Sequence, residues 1–476
     1  EKGENVALVT LIQVDGSSPG KKGNLMAVFE NKKILILGFA KSGYEAAKVL
    51  IKRNNNVFIN DNKDENKINK EEYEELLALG VNIILGSHPD DLLDNTFDYL
   101  IKNPGVPIDH KYVIKAHLLS IPVINEIEIA YELMKNKNIK YIAITGTNGK
   151  TTTTSLIYEI LKKENLPVHL AGNIGFPLCS FVDKVKSDDI IVIEVSCQQL
   201  ENMDKFNPNI GVITNITEAH LEFMKTLSHY IYVKSKLLLN QTTKDTAILN
   251  NNDKTIGVIS KNFKSTIKYF SSKNNISKGC YIKDNFIYYN NDIIISIFDI
   301  KLKGIHNYEN IMASILVAKE LNISDENIND VLRNFNGVEH RLEYVAIKNG
   351  ITFYNDTEAT NIKCTETALS SFDKSIILIL GGYERNQNFN ELLPYIKNVK
   401  AIIAIGQCKN RIEIFGNNNN INTYPYETLK EGFKKSVEIA EINDIILLSP
   451  ASASWDQYEK CEDRGNEFKK YVQEIK

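Results

Sequence analysis

The sequence feature that most constrains this chain is a glycine-rich loop, TGTNGKTT, at residues 145–152. The apolar run at residues 141–144 predicts a buried strand, and the residues from Lys150 onward predict a helix. Glycines let backbone N–H groups approach an anion, and the N-terminus of a helix adds positive potential. The loop therefore predicts a phosphate site in which Lys150 contacts the outer phosphates and the Thr151 hydroxyl holds Mg²⁺.

This loop departs from the common pattern G-x-x-x-x-G-K-[ST], because Ile144 stands where the first glycine would be. The alternative interpretation is a surface loop with chance glycines. An apolar run at residues 190–193, which ends in Glu194, favours the phosphate site. Glu194 alone would more often be a solvated strand terminus. A carboxylate at a strand end beside phosphates, however, suits a hard cation such as Mg²⁺.

Short apolar runs alternate with helical segments along most of the chain, for example at residues 34–37, 210–214 and 376–380. Such runs are typical of buried parallel strands, and the alternation predicts doubly wound sheets. We expect an α/β fold with three domains after an N-terminal extension at residues 1–30, which is interpreted as a tag or a fusion scar. The domains are a Rossmann-like domain at 31–135, a central domain with a P-loop ATPase-like parallel sheet at 136–338, and a Rossmann-like C-terminal domain at 339–476.

The composition excludes several classes of protein. The formal net charge is −4 with no basic block, which gives little electrostatic support for nucleic-acid binding. No apolar run approaches the ~20 residues that a membrane helix needs. The six cysteines are scattered and form no Cys-x-x-Cys pair, so a zinc or redox motif is not expected. These observations predict a cytoplasmic protein without a nucleic-acid or membrane partner.

The loop at residues 145–152 resembles the ATP signature of the Mur ligase family. Further segments resemble motifs of that family in the same order, and the resemblance extends from Ile34 to the C-terminus. These segments are AGNIG at 171–175, EVSCQQLE at 194–201, and residues 215–220, 304–310, 340–343, 355–361, 381–382, 449–457 and 464–465. The resemblance implies an ATP-dependent ligase that forms an amide bond and releases ADP and phosphate.

Two stretches, GFAKSG at residues 38–43 and SPASASWD at 449–456, resemble one branch of the family. That branch adds D-glutamate to UDP-N-acetylmuramoyl-L-alanine during the synthesis of peptidoglycan precursors. The implied reaction has two steps. ATP first phosphorylates the alanine carboxylate, and the amine of D-glutamate then displaces the phosphate. The implied partners are these two substrates, and a monomer is expected.

The resemblance also implies roles for individual residues. ATP would be held by Gly146, Thr147, Asn148, Gly149, Lys150, Thr151 and Thr152, with Asn310 at the adenine, Arg341 at a phosphate and Asp356 at the ribose. The substrates would be held by Ser42 and Asp61 at the uridine, by Asn173 near the reacting carboxylate, and by Thr360, Arg385 and Ser454 at the glutamate. Catalysis would rest on Lys150, Glu194, His220 and Lys236, with two Mg²⁺ ions held by Thr151, Glu194, His220 and Lys236.

Two of these assignments have a chemical reason of their own. Asp61 lies where a dinucleotide-binding fold places the carboxylate that contacts a ribose. The resemblance implies that Lys236 is carbamylated, and the chemistry is reasonable because CO₂ would turn its cation into a carboxylate able to bind Mg²⁺. Lys234 is the rival for this role, because it lies only two residues away in the same predicted helix.

Four departures from the family pattern leave alternatives open. Glu358 stands where the family has lysine, Cys197-Gln198 replaces Ser-Phe, Ala219 replaces an acidic residue, and Cys461 replaces an aromatic residue. Glu358 would weaken D-glutamate binding, change the amino acid that is accepted, or be offset by a nearby Lys or Arg. The alternatives are a related ligase for another amino acid, a non-catalytic nucleotide-binding homologue, and a dinucleotide-dependent oxidoreductase. The phosphate loop argues against the last.

Overall fold

The computed structural model describes residues 29–218 and 221–475. Of the expected N-terminal extension, only Phe29 and Glu30 are described, and His220 lies outside the described residues. The described residues form three β-sheets that follow one another along the chain, with helices between the strands. The predicted α/β class is therefore confirmed.

The first sheet and its helices lie between residues 33 and 134. They are β1 (Lys33–Leu37), α1 (Lys41–Ile51), β2 (Asn56–Asn60), α2 (Lys70–Ala78), β3 (Asn82–Ile84), β4 (Tyr99–Lys102), α3 (Lys111–Leu118), β5 (Val123–Ile124) and α4 (Glu126–Met134). All strand pairs are parallel, in the order β3-β2-β1-β4-β5. The order reverses between β1 and β4, so the loops after these strands open a crevice of the kind that binds ligands.

The central sheet has nine strands and carries the phosphate loop. Its strands are β6 (Lys140–Thr145), β7 (Val168–Gly172), β8 (Ile190–Glu194), β9 (Ile210–Ile213), β10 (Thr246–Asn250), β11 (Thr266–Ser271), β12 (Gly279–Lys283), β13 (Phe286–Tyr289) and β14 (Asp292–Ser296). Its helices are α5 (Lys150–Lys163), α6 (Cys197–Leu200), α7 (Leu221–Met224), α8 (Leu227–Leu239), α9 (Lys254–Ile259), α10 (Ile305–Glu320) and α11 (Asp325–Asn334). The order is β14-β13-β12-β11-β10-β9-β6-β8-β7. The pairs β12-β13 and β13-β14 are antiparallel, and the other pairs are parallel. Strand β6 therefore lies between β9 and β8, whose carboxyl ends flank the loop.

The third sheet has six strands. Its elements are β15 (Glu343–Lys348), β16 (Ile351–Asn355), α12 (Ile362–Leu369), β17 (Ile376–Gly381), β18 (Val399–Ile405), α13 (Lys409–Asn418), β19 (Asn422–Tyr426), α14 (Leu429–Ile439), β20 (Ile445–Leu448) and α15 (Cys461–Glu474). The order is β15-β16-β20-β17-β18-β19, with an antiparallel pair at β15-β16 and parallel pairs elsewhere. The loops after β16, β17 and β20 therefore meet at one edge of the sheet.

Apolar packing joins the first sheet to the central one. One buried cluster runs from Ile34 and Ile36 of β1 through helix α4 to Ile191 and Ile193 of β8. Burial of apolar surface is the main force that holds such elements together, so these two sheets form one packed unit. The third sheet packs in two further clusters, one on each face. None of the helices within the described residues is long and apolar enough to cross a bilayer.

Candidate active site

The phosphate loop joins β6 to α5 at the centre of the nine-stranded sheet. Gly149 precedes the first residue of α5 and has φ of 82°, a left-handed conformation that favours glycine. A side chain at this position would also overlap the side-chain oxygen of Asn310, on helix α10. Asn310 therefore lies against the loop, and the helix N-terminus is left open to an anion.

Two lysines converge on one carbonyl oxygen of this loop. The Nζ atom of Lys150 donates to Gly146 O at 3.0 Å, and that of Lys234 donates to the same oxygen at 2.7 Å. Lys234 is 1% exposed and also donates to Thr145 Oγ1 at 3.1 Å. Burial, with the charge of Lys150 adding to it, lowers the pKa of Lys234 to about 7. Burial also lowers the pKa of Lys150. Two amines, those of Lys150 and Lys234, therefore lie side by side at this loop.

Lys236, which was expected at this site, points elsewhere. Its Nζ atom donates to the backbone oxygen of Glu201 at 2.7 Å, and its side chain lines a cavity with Met203 and Asp204. Residues two apart on a helix face different directions. The buried positions of α8 are residues 230, 233, 234, 235, 237 and 238, a set that includes Lys234 and omits Lys236. The geometry favours Lys234 over Lys236 at the phosphate loop, and the apolar spacing of α8 was the signal in the sequence.

Glu194 ends strand β8 beside the loop and is 1% exposed. Its Oε1 atom accepts a hydrogen bond from Asn173 Nδ2 at 2.7 Å, whereas Oε2 is buried and has no hydrogen-bond partner. A buried carboxylate oxygen is costly unless it is paired, and a cation would satisfy it. The residues here therefore fit Mg²⁺, and Thr151, in the first turn of α5, would add its hydroxyl oxygen as a second ligand. Within residues 29–218 and 221–475, no group of three His, Cys, Asp or Glu side chains is arranged to hold a metal.

The charge reversal at Glu358 has a partner in the structure. Its carboxylate forms an ion pair with the guanidinium of Arg341, which was expected to contact phosphate. The Arg341 side chain remains 54% exposed, and its charge contributes to lowering the pKa of Lys150. The negative charge at Glu358 is therefore offset by a nearby arginine, which was one of the three outcomes considered from the sequence.

Asp356, expected at the ribose, is held within the third sheet. Its Oδ1 atom accepts from Leu342 N at 3.0 Å, and Oδ2 accepts from Ser449 Oγ at 2.7 Å. Burial raises the pKa of Asp356 to about 7. Each oxygen keeps a second lone pair, so these bonds leave acceptor capacity for a ribose hydroxyl.

Two of the three residues expected at the glutamate share a cavity. Thr360 and Arg385 both line a space of about 340 Å³ at the carboxyl ends of the third sheet. The Arg385 guanidinium lies 4.3 Å from the ring centroid of Trp455, a contact that limits its freedom. The neighbouring Ser454 is 1% exposed, and its Oγ atom has no hydrogen-bond partner. The arrangement offers a cation and hydroxyl groups to an anionic ligand.

The expected uridine residues meet at the crevice of the first sheet. Ser42 and Asp61 both line a cavity of about 350 Å³. The Asp61 carboxylate accepts from Phe39 N at 2.7 Å and from Lys63 N at 2.9 Å, which fixes its orientation. Asn103 also lines this cavity, and its buried Oδ1 atom has no partner. The sequence reasoning gave no role to Asn103, although the break after β4 at residues 103–106 marked the position.

Comparisons with known proteins agree with this geometry. The family description "Mur ligase middle domain" matches residues 144–318, and "Mur ligase, glutamate ligase domain" matches residues 340–452. A protein of Enterococcus hirae named UDP-N-acetylmuramoylalanine--D-glutamate ligase is 44% identical over 450 residues, which is 94% of this chain and 97% of that protein. The chain belongs to the Mur ligase family. A protein of the same name from Listeria monocytogenes is 40% identical over 94% of this chain and 98% of its own length.

Solved structures of Mur ligases share the fold at low sequence identity. UDP-N-acetylmuramate-alanine ligase from Thermotoga maritima has a TM-score of 0.57 at 19% identity, covering 94% of this chain and all of that protein. The MurF ligase of the same organism, solved with ADP, also has a TM-score of 0.57, at 15% identity, covering 87% of this chain and 95% of that one. These likenesses place the architecture among the Mur ligases.

Proposed function

We propose that this protein is an ATP-dependent ligase that adds D-glutamate to UDP-N-acetylmuramoyl-L-alanine through an acyl phosphate. The observation that carries the proposal is the full-length similarity, at 44% identity, to a ligase with that name. Two features of the site support it. Two lysines share one carbonyl of the phosphate loop, and Glu194 presents an unpartnered oxygen beside them.

In the first step, an oxygen of the alanine carboxylate attacks the γ-phosphorus, and the bond to the β-phosphate oxygen breaks to release ADP. The N-terminus of α5 with Lys150 would hold the phosphates, and Asn310, which lies against Gly149 of the loop, would lie beside the nucleotide. Glu194 and Thr151 would hold Mg²⁺, which neutralises charge on the phosphates. Asn173 donates to Glu194 and so orients it, and Asn173 would also meet the incoming carboxylate.

In the second step, the amine of D-glutamate attacks the acyl carbon, the carbon–oxygen bond to phosphate breaks, and the amine loses a proton. The carboxylates of the amino acid would lie against Arg385, Thr360 and Ser454. A planar guanidinium binds a carboxylate through two parallel hydrogen bonds, and the stacked Trp455 keeps Arg385 in place. UDP would lie in the crevice that Ser42 and Asp61 line.

We also propose that Lys234, not Lys236, is the carbamylated lysine. Its neutral amine would add to CO₂ and release one proton, leaving a carboxylate on the side chain. That product would replace the repulsion between Lys234 and Lys150 with an attraction. It would also supply oxygen ligands for a second Mg²⁺ together with His220.

A ligase for a basic amino acid is the competing proposal, and Glu358 is the residue that would support it. The ion pair between Glu358 and Arg341 weakens that case, because the carboxylate is already neutralised. Incubation of the protein with ATP, Mg²⁺, UDP-N-acetylmuramoyl-L-alanine and a panel of amino acids separates the candidates. We expect phosphate release with D-glutamate. Release only with lysine or ornithine would favour the competing ligase, and tight ATP binding without release would indicate a non-catalytic homologue.

A further inference from the structure

The third sheet contains a buried arginine with no assigned role. Arg464, near the start of α15, is 1% exposed, and its guanidinium donates only to protein oxygens. The acceptors are Thr357 Oγ1 at 2.9 Å, Thr357 O and Ser452 O at 3.0 Å, Gly381 O at 3.4 Å and Ala453 O at 3.5 Å. Within the described residues, no carboxylate forms an ion pair with it. The fork is fully used by backbone and hydroxyl groups.

These acceptors belong to the three loops that end β16, β17 and β20. Each loop also carries one of the residues expected at the glutamate, within four positions of an acceptor, and Ala451 of the loop after β20 lines the cavity with Thr360 and Arg385. Thr360 follows Thr357, Arg385 follows Gly381, and Ser454 follows Ala453. Gly382 is part of the same contact, since a side chain there would press on Arg464 Nη1. One side chain therefore links all three walls of the cavity.

Burying a charge without a counter-charge is unfavourable for the stability of a protein core. Desolvation of such an ion costs several kcal/mol, and an apolar side chain of similar volume is often equally or more stabilising. The hydrogen bonds of Arg464 compensate for part of this desolvation cost. They also connect separate loops, which an apolar side chain cannot do. Arg464 has no donor left for a substrate, so it acts through the loops that it holds.

We propose that Arg464 is a positioning residue that sets the spacing of Thr360, Arg385 and Ser454 for an anionic amino acid. The identity of that amino acid rests on the proposed function. The positioning itself does not, because it is a property of the protein without ligands. Lysine cannot replace arginine here, since a single ammonium group cannot reach oxygens on three loops.

Hydrogen exchange in the ligand-free protein tests the positioning. In Arg464→Lys we expect amides at residues 358–360, 382–385 and 453–455 to exchange faster by at least about 10-fold, because their loops lose a shared anchor. Amides of the central sheet should be unchanged. Arg333→Lys, at an exposed arginine on α11, is the matched control and should change none of these loops.

Steady-state rates test the consequence for the substrate. In Arg464→Lys we expect the KM for D-glutamate to rise about 10- to 100-fold, because displacement by 1 Å is enough for such a loss. The KM values for ATP and UDP-N-acetylmuramoyl-L-alanine should stay within about 2-fold. A wild-type protein that does not use D-glutamate would refute the proposed function, and the exchange data would still decide the positioning.

A milder variant covers the case in which Arg464→Lys does not fold. Thr357→Val removes one acceptor of Arg464, and Thr357→Ser keeps it as the control. We expect faster exchange at residues 358–360 in the valine variant alone. Unchanged exchange in the loops of whichever variant folds would overturn the proposal. A parallel rise of all three KM values would do the same, because it would indicate a general structural role.

Discussion

The buried carboxylate of Asp356 should make the third domain less stable at neutral and alkaline pH than at acid pH. The substitution Asp356→Asn should remove this pH dependence. In the folded protein burial raises the pKa of Asp356 from 3.8 to about 7. Between these two values the folded state keeps a proton that the unfolded state has lost. The free energy of unfolding must therefore fall as the pH rises through this window. Asparagine has no proton to lose and can still accept from Leu342 N.

The size of the effect follows from the two pKa values. A difference of about three pH units corresponds to about 4 kcal/mol at about 1.4 kcal/mol per unit, an upper bound for the cost of the ionised form. We expect Asp356→Asn to be more stable than the wild type by about 2–4 kcal/mol at pH 8 and nearly equal to it at pH 4.5. Burial also raises the pKa of Glu126 to about 7. Because Glu126 is present in both proteins, its contribution cancels in the stability difference.

Urea unfolding followed by tryptophan fluorescence measures this difference. Trp455 is the single tryptophan of the chain and lies in the third domain, so its signal reports that domain rather than the whole protein. Urea midpoints for both proteins at several pH values from 4.5 to 8 would give the difference in unfolding free energy as a function of pH. A stability difference that does not change with pH would refute the reasoning. An Asp356→Asn protein that is less stable than the wild type at pH 8 would refute it too.

Three further predictions concern the site. Lys234→Ala should reduce turnover by at least about 100-fold, with partial recovery on addition of short carboxylic acids, whereas Lys236→Ala should stay within about 5-fold of the wild type in the same phosphate-release assay. Glu358→Gln should lower the KM for ATP by about 2- to 5-fold, because Arg341 loses its half-buried ion-pair partner and becomes free for phosphate; an unchanged KM would contradict this. Ser454→Ala should raise the KM for D-glutamate by about 10-fold with little change in the melting temperature, and an unaltered KM would remove the serine from the pocket.

The sequence predicted those parts of the fold that depend on local pattern. The continuous apolar runs of β1, β6, β8, β17 and β20 are buried on both faces, which is why a parallel arrangement could be inferred from them. The hairpin strands β13 and β14 were not predicted. They contain Asp292 and exposed residues such as Phe286, and their pairing depends on a neighbouring strand rather than on their own pattern.

The sequence likewise predicted those parts of the site that depend on local pattern, and not those that depend on contacts between distant residues. The phosphate loop and Glu194 follow strands directly, so their position is set by local sequence. The choice between Lys234 and Lys236 depended on which face of α8 is buried. The spacing of the apolar residues in α8 indicates that face, but matching the lysine to a family motif does not take the spacing into account. The pairing of Arg341 with Glu358 and the contacts of Arg464 join residues far apart in the sequence, and no local pattern contains that information.

An isotope-transfer experiment tests the central claim most directly. UDP-N-acetylmuramoyl-L-alanine labelled with ¹⁸O in both oxygens of the alanine carboxylate is incubated with the protein, ATP, Mg²⁺ and D-glutamate, and the released phosphate is analysed by mass spectrometry. Formation of an acyl phosphate followed by attack of the amine predicts one ¹⁸O atom in each phosphate and a product that carries one added glutamyl residue and keeps one ¹⁸O atom in its alanyl carbonyl. Phosphate without ¹⁸O, or phosphate released without that product, would contradict the account.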